Sequence, residues 1–178
     1  RIHATKEALT EPYVIWEQDA DAVTIPVGNY SFNEAEIRFQ SGQLRNIWGT
    51  TGYRSGKFYG GNRQQKTVGI GWRPSSHFQF TLNYTVNDVQ LPYGDFDTEL
   101  IQSRSDIIFS STMSWSTLIQ YDNITEAVGI NTRLHWIPRA GQEAFIVLNH
   151  NLQDIDLNNR FKSTLADLAI KFNYTFRF

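Results

Sequence analysis

The last twelve residues alternate without a break. Leu168, Ile170, Phe172, Tyr174, Phe176 and Phe178 fall on one side of an extended chain, and Asp167, Ala169, Lys171, Asn173, Thr175 and Arg177 on the other. Side chains on a β-strand point to opposite faces at period two, so this run makes a strand with one apolar and one polar face. The same pattern recurs upstream. Phe78, Phe80, Leu82, Tyr84 and Val86 alternate with polar residues; so do Met113, Trp115, Thr117, Ile119 and Tyr121, then Val128, Ile130, Thr132, Leu134 and Trp136, and the shorter set Val68, Ile70 and Trp72. Apolar residues three and four apart, which an amphipathic helix needs, are almost lacking. The pattern predicts an all-β, antiparallel fold with strands over about 28–41, 46–58, 63–73, 76–88, 95–109, 112–122, 126–138, 142–150 and 164–178. Alternation is least clean in 46–58 and 95–109.

Such strands make a barrel, soluble or transmembrane. No stretch approaches the roughly 20 apolar residues of a transmembrane helix. A barrel strand offers only every second residue to lipid, so a mean hydropathy of −0.40 suits one. Three features favour lipid. The strands are long enough for a tilted crossing. Aromatic residues, 14% of the chain, gather near strand ends, at Trp72, Tyr84, Tyr121, Trp136, Tyr174, Phe176 and Phe178, where interfacial rings settle. The polar face is rich in Ser, Thr, Asn, Gln and Gly, and charged residues are only 19%, fewer than a water-facing exterior carries. The expectation is a transmembrane β-barrel of about eight to ten strands, or that many strands of a larger barrel, in contact with outer-membrane lipid.

The links alternate in length. Gly42 to Arg45, Pro74 to Ser76, Ser110-Ser111 and Pro138 to Gly141 are tight, whereas Tyr59 to Asn62, Asn87 to Gly94, Asp122 to Glu126 and Asn151 to Ser163 are mostly longer. Outer-membrane barrels have short periplasmic turns and longer outer loops. With Phe178 at the periplasmic end, the tight links fall on the periplasmic side. The strand at 28–41 then enters from outside, and an upward strand should precede it. Tyr13 to Trp16 is the candidate, with poor alternation. Residues 1–27 are therefore expected to be an extracellular loop or partial strand, and 28–178 the barrel strands. The odd count of nine clear strands points to earlier strands of a larger barrel, in a missing N-terminal part of the same protein, with a closed barrel of eight or ten strands as the alternative; a start at Arg1-Ile2-His3 with no signal-peptide pattern fits either a removed signal or a piece of something longer.

Composition and motifs argue against several chemistries. There is no cysteine, and net charge is −2 with pI near 6.1, which gives no reason to expect nucleic-acid binding. No histidine pair has metal-ligand spacing, and the acid pairs Asp19/Asp21 and Asp95/Asp97 read as solvated loop acids rather than a calcium site. No cofactor or metal is expected. Gly60-Gly61-Asn62 lacks the Lys-Ser/Thr and helix of a phosphate loop and reads as a hairpin link. Of the four histidines, His3, His77, His135 and His150, only His135 pairs with candidate nucleophiles, because Ser114 and Ser116 share its face on a neighbouring strand. No nucleophile motif surrounds them, so a hydrogen-bond network is the expectation. The charges expected to face the lumen are Glu36, Arg38, Arg73, Arg133, Asp167, Lys171 and Arg177, with His135. They would fill a narrow barrel or set ion preference in a wide one.

Two resemblances add to this. The terminal run with Phe172, Tyr174, Phe176 and Phe178 resembles the β-signal of outer-membrane proteins, which implies recognition by the barrel assembly machinery. Residues 26–150 contain, in order, Pro26-Val27-Gly28-Asn29-Tyr30, Phe58-Tyr59-Gly60-Gly61, Gly71-Trp72-Arg73-Pro74-Ser75, Val89-Gln90-Leu91-Pro92-Tyr93-Gly94-Asp95-Phe96, Gln120-Tyr121 and Asn131-Thr132-Arg133-Leu134-His135-Trp136. This order is similar to the C-terminal region of envelope proteins that carry an N-terminal carbohydrate-binding family 9-like domain followed by a domain of unknown function. The resemblance implies a Gram-negative outer-membrane barrel with no established activity. Pro138-Arg139-Ala140-Gly141 departs from the family's adjacent Pro-Gly. The function expected is a porin-like anchor or transport barrel without catalysis. The alternatives are a barrel enzyme acting on lipid or glycan, and a soluble ligand-binding barrel.

Overall fold

The computed structural model describes residues 1–18, 21–155 and 160–175. It is all-β. The strands are β1 (Ile2–Leu9), β2 (Tyr13–Gln18), β3 (Asp21–Ile25), β4 (Gly28–Gln40), β5 (Ile47–Phe58), β6 (Gly61–Ser75), β7 (Phe78–Leu91), β8 (Gly94–Ser110), β9 (Met113–Asp122), β10 (Ala127–Arg139), β11 (Gln142–Gln153) and β12 (Lys162–Tyr174). Ten of them form one antiparallel sheet in the order β1-β4-β5-β6-β7-β8-β9-β10-β11-β12, and β2 and β3 pair only with each other.

The nine strands expected from alternation are present close to their expected limits. Residues 1–27 differ from the expectation. The strand beside β4 is β1, with Ile2 opposite Ala35 and Leu9 opposite Gly28. Tyr13 to Trp16 instead belongs to the β2–β3 hairpin. Alternation hid β1 because its apolar side is made of Ile2, Ala4, Lys6 and Ala8, too small and too polar to stand out. The link lengths differ as well. Tyr59-Gly60 joins β5 to β6 and Pro92-Tyr93 joins β7 to β8, as short as the Ser76-His77 and Ser111-Thr112 links at the other end. Tyr59 (φ 42°) and Gly60 (φ 82°) both take positive φ, the geometry of a two-residue hairpin turn whose twist matches its strands.

Register carries each face intact across the sheet. Directly paired residues share a face. Thr51, Val68, Tyr84, Ile101, Tyr121 and Val128 are linked in one cross-strand row, and Ile70, Leu82, Ser103, Ile119, Ile130 and His150 in the next. On β12 the same face shows Leu168, Ile170, Phe172 and Tyr174, opposite Leu148, Ile146, Ala144 and Gln142. This apolar face is open: Ile70 is 49% exposed, Trp72 46%, Leu168 61% and Ile170 72%. Tyr53, Tyr84 and Tyr121 lie toward the hairpin end of their strands, and Trp72, Trp115, Trp136 and Phe172 toward the opposite end. Beyond Tyr84 and Val86 the same face turns polar, with Asp88 opposite Asp97 and Val86 opposite Glu99. Phe78 to Val86 spans about 25–30 Å along the strand at ~3.3 Å per residue. Tilted, that stretch is close to the ~25 Å apolar band of a membrane barrel.

The less regular alternation of 46–58 and 95–109 has a local cause on each strand. On β5, small residues, Gly49 and Thr51, hold apolar-face positions. On the other face the Trp48 ring lies over β6, where a Cβ at Gly71 would stand 2.0 Å from Trp48 Cε2. On β8, Ser103 and Ser105 hold apolar-face positions, and Ser105 lies opposite Thr117, itself bonded to Thr132 at 2.8 Å.

The buried apolar cluster sits on the opposite, polar face, at the hairpin end. It consists of Val23, Ile25, Phe32, Tyr59, Val89, Leu91 and Phe96. β2 and β3 supply its lid. Ile25 is fully buried, Trp16 stacks on Phe96 at 5.8 Å, and a Cβ at Gly94 would stand 2.9 Å from Val23 Cγ2. Gln18 Nε2 donates to Glu126 Oε1 at 3.2 Å, which ties the hairpin to the β9–β10 link. The hairpin thus runs across the end of the polar face from β4 to β10.

Candidate functional site

The polar face of the large sheet carries ionic contacts in groups. The most buried is built on β4, β5 and β6. Glu34, 3% exposed, accepts from Arg54 Nη2, from Arg63 Nε at 2.9 Å and from Arg63 Nη2 at 2.7 Å. Two guanidiniums on one carboxylate satisfy its lone pairs and leave a net positive charge. Arg63 also lies over the Phe58 ring, 4.2 Å from its centroid. One step along β4, Glu36 meets His3 Nε2 at 3.0 Å. Arg38 follows, exposed and in no ion pair among the described residues. It lines a shallow recess with Glu36, Thr50, Arg54 and Gln65.

At the hairpin end, Tyr59 donates its hydroxyl to Glu7 Oε2 at 2.8 Å. Burial, and then this bond to a carboxylate, push the phenol up to about 12.

A second group lies on β8 to β12. Arg104 is held by Asp106 at 2.9 Å. On β10, Arg133 packs 4.6 Å from the Phe145 centroid, and His135 stacks on the same ring at 4.5 Å and 6°. Phe145 in turn lies opposite Lys171. Asn131 donates to Asn149, which lies opposite Asp167. Arg73, at the other end of the face, donates to Gln79 Oε1 at 2.9 and 2.6 Å and lies over Trp48.

Glu36, Arg38, Arg73, Arg133, His135, Asp167 and Lys171 therefore share one face, but they are spread from β4 to β12 rather than gathered at one point. Arg177, Phe176 and Phe178 lie outside the described residues, as does Asp19. Phe172 and Tyr174 stand on the apolar face, 58% and 51% exposed. Sequence reasoning missed Glu34, Arg54, Arg63 and the Arg104–Asp106 pair. Glu34 stands two residues before Glu36 on the same face, so its period was visible. Arg54 and Arg104 lie in the two strands whose alternation is least clean.

The serine–histidine arrangement is not assembled for hydrolysis. His135 lies opposite Ser114, and Ser116 lies opposite Arg133. His135 Nε2 is buried with no hydrogen-bond partner among the described residues. Asp106, the carboxylate that shares its recess, is committed to Arg104. A general base needs a proton partner on one nitrogen and an orienting acceptor on the other.

No family model matches the chain, and no curated protein matches it. A solved structure of the KdgM porin in complex with disordered oligogalacturonate is similar, with 11% identity and a TM-score of 0.41 over 99% of this chain and 91% of that one.

Proposed function

We propose that the chain is the C-terminal, membrane-embedded β-barrel part of a Gram-negative outer-membrane protein, serving as an anchor or a solute passage without catalysis of its own. The observation that carries this reading is the orientation of the two faces. The sheet presents a continuous, exposed apolar face about one hydrocarbon layer tall, with aromatic residues toward both ends, while the ion pairs found among the described residues lie on the other face. An open apolar area spread over ten strands far exceeds what a soluble monomer presents to water. A soluble ligand-binding barrel would turn that face inward.

Single-tryptophan variants test it. In vesicles of lipid brominated on the acyl chains, Trp72 and Trp136 should be strongly quenched, and Trp48, 8% exposed on the polar face, should not. Equal quenching of Trp48 and Trp72 would sink the membrane reading.

In lipid no strand edge stays unpaired, because no water is there to bond the backbone. Among the described residues, β12 pairs only with β11, and β4 has β1 beside it only as far as Glu36, whose amide bonds Arg1 O. Ile37 and Phe39, 60% and 68% exposed, lie beyond. In our reading these edges are closed by further strands of the same protein, the part that would also carry the carbohydrate-binding domain of the resembled family. Phe172 and Tyr174 would belong to the segment read by the assembly machinery. With no native cysteine to interfere, a cysteine at Ala4 combined in turn with one at Ala166, Leu168 or Ile170 should give no disulfide on oxidation. Bridged residues must lie within about 7 Å between Cα atoms. Efficient crosslinking would place β1 beside β12 and close the barrel at ten strands instead.

A further inference from the structure

We infer that the recess on β8, β9 and β10 is a binding site for a small oxyanion, a phosphate or carboxylate group. The recess has a volume of about 380 Å³ and is lined by Arg104, Asp106, Ser114, Ser116, Arg133 and His135 among others. Its charges do not cancel. Asp106 is neutralised by Arg104 through contacts of 2.9, 3.1 and 3.2 Å. Arg133 has no carboxylate partner among the described residues. Its guanidinium is held by stacking on Phe145, which leaves its N–H donors uncommitted while fixing their position.

The neighbouring polar groups are equally unused. His135 Nε2 is buried without a partner among the described residues, although its ring is clamped flat against Phe145. A buried polar nitrogen left unmatched is costly, and native structures seldom keep one without a reason. Ser114 and Ser116 stand beside His135 and Arg133 on the adjacent strand, and neither hydroxyl has a hydrogen-bond partner among the described residues. A guanidinium fork and two hydroxyls on the recess wall, with the His135 imidazole packed behind them, offer donors, and an oxyanion has the acceptor atoms to use them. Lys171, opposite Phe145, adds positive charge on the far side of the ring. The site extends the proposed role by giving the polar wall a solute class to hold. It does not depend on how the sheet closes.

Titration calorimetry of the detergent-solubilised protein with inorganic phosphate tests the site. Saturable binding at one site per chain is expected. Arg133→Gln should weaken it by about tenfold or more, the loss of a charge-assisted bond, and His135→Phe should weaken it while keeping the stack on Phe145. Arg38→Gln, which removes an exposed arginine elsewhere on the same face, should leave it unchanged. The absence of saturable binding, full affinity in Arg133→Gln, or equal weakening by Arg38→Gln would each overturn the site. Phosphate binding is read in detergent and lipid contact by quenching, so either idea can fail without the other.

Discussion

Replacing Glu34 by alanine should destabilise the folded protein by about 3–5 kcal/mol, more than other single polar changes in the sheet. Glu34 is the most buried charge of the polar face, and Arg54 and Arg63 both spend their hydrogen bonds on it. Without the carboxylate, two guanidiniums remain side by side, partly desolvated and repelling each other. The loss is therefore larger than the net worth of the pairs themselves, since most of it is the cost of stranded charge. Glu34→Gln keeps the shape and some acceptor capacity but not the charge, and should fall between wild type and alanine. Replacing all three residues with packed apolar side chains should recover much of the loss. Urea unfolding of the protein reconstituted in lipid measures the series. A Glu34→Ala loss below about 1 kcal/mol, the range of exposed ion pairs, would show that the triad is solvated and has no structural role.

That triad also marks where the sequence stops being readable. Period two exposes the faces: once Leu168, Ile170 and Phe172 are aligned, the side on which Lys171 and Asp167 fall is decided. Alternation says nothing about distance between strands. It puts Glu34, Arg54 and Arg63 on one face but leaves open whether they touch, because contact depends on register, and register depends on where each turn begins. Tyr59-Gly60 shows how fine that dependence is. Read as the four-residue link Tyr59 to Asn62, it would separate Arg63 from β5. Formed as a two-residue turn, it brings Phe58 opposite Gly61 and Gly56 opposite Arg63. The β2–β3 hairpin was hidden for a different reason. Val23 and Ile25 are buried and Trp16 half-buried by tertiary contact with Val89, Leu91 and Phe96, and a five- or six-residue strand that packs on one side only has too short a pattern to separate from loop. The unmatched nitrogen of His135 has no sequence signal. It follows from a stack on Phe145, a residue ten positions away that reaches it across the β10–β11 turn.

Removing the hairpin, by joining Glu11 to Val27 through a short Gly-Ser link, should raise single-channel conductance in planar bilayers by at least about twofold, since passage scales with the open cross-section of the narrowest part. The expectation comes from where the hairpin lies. It crosses the end of the polar face, anchored at Phe96 through Trp16, at Gly94, the start of β8, through Val23 and at Glu126 through Gln18. In the barrel reading that position is the outer mouth, and a segment held at three points along its length narrows it. The ten-strand ladder should survive the deletion because, among the described residues, β2 and β3 pair as strands only with each other. What is lost is the apolar cover of Phe32, Val89, Leu91 and Phe96, at about 25 cal/mol for each Å² of apolar surface returned to water. Gln18→Ala is the milder companion: it frees one anchor, leaves the cluster intact, and should increase flicker between conductance levels more than mean conductance. Unchanged conductance after deletion would place the hairpin outside the path. A barrel that stays silent with the hairpin removed would leave anchoring as its role, because nothing else on the described polar face crosses from β4 to β10.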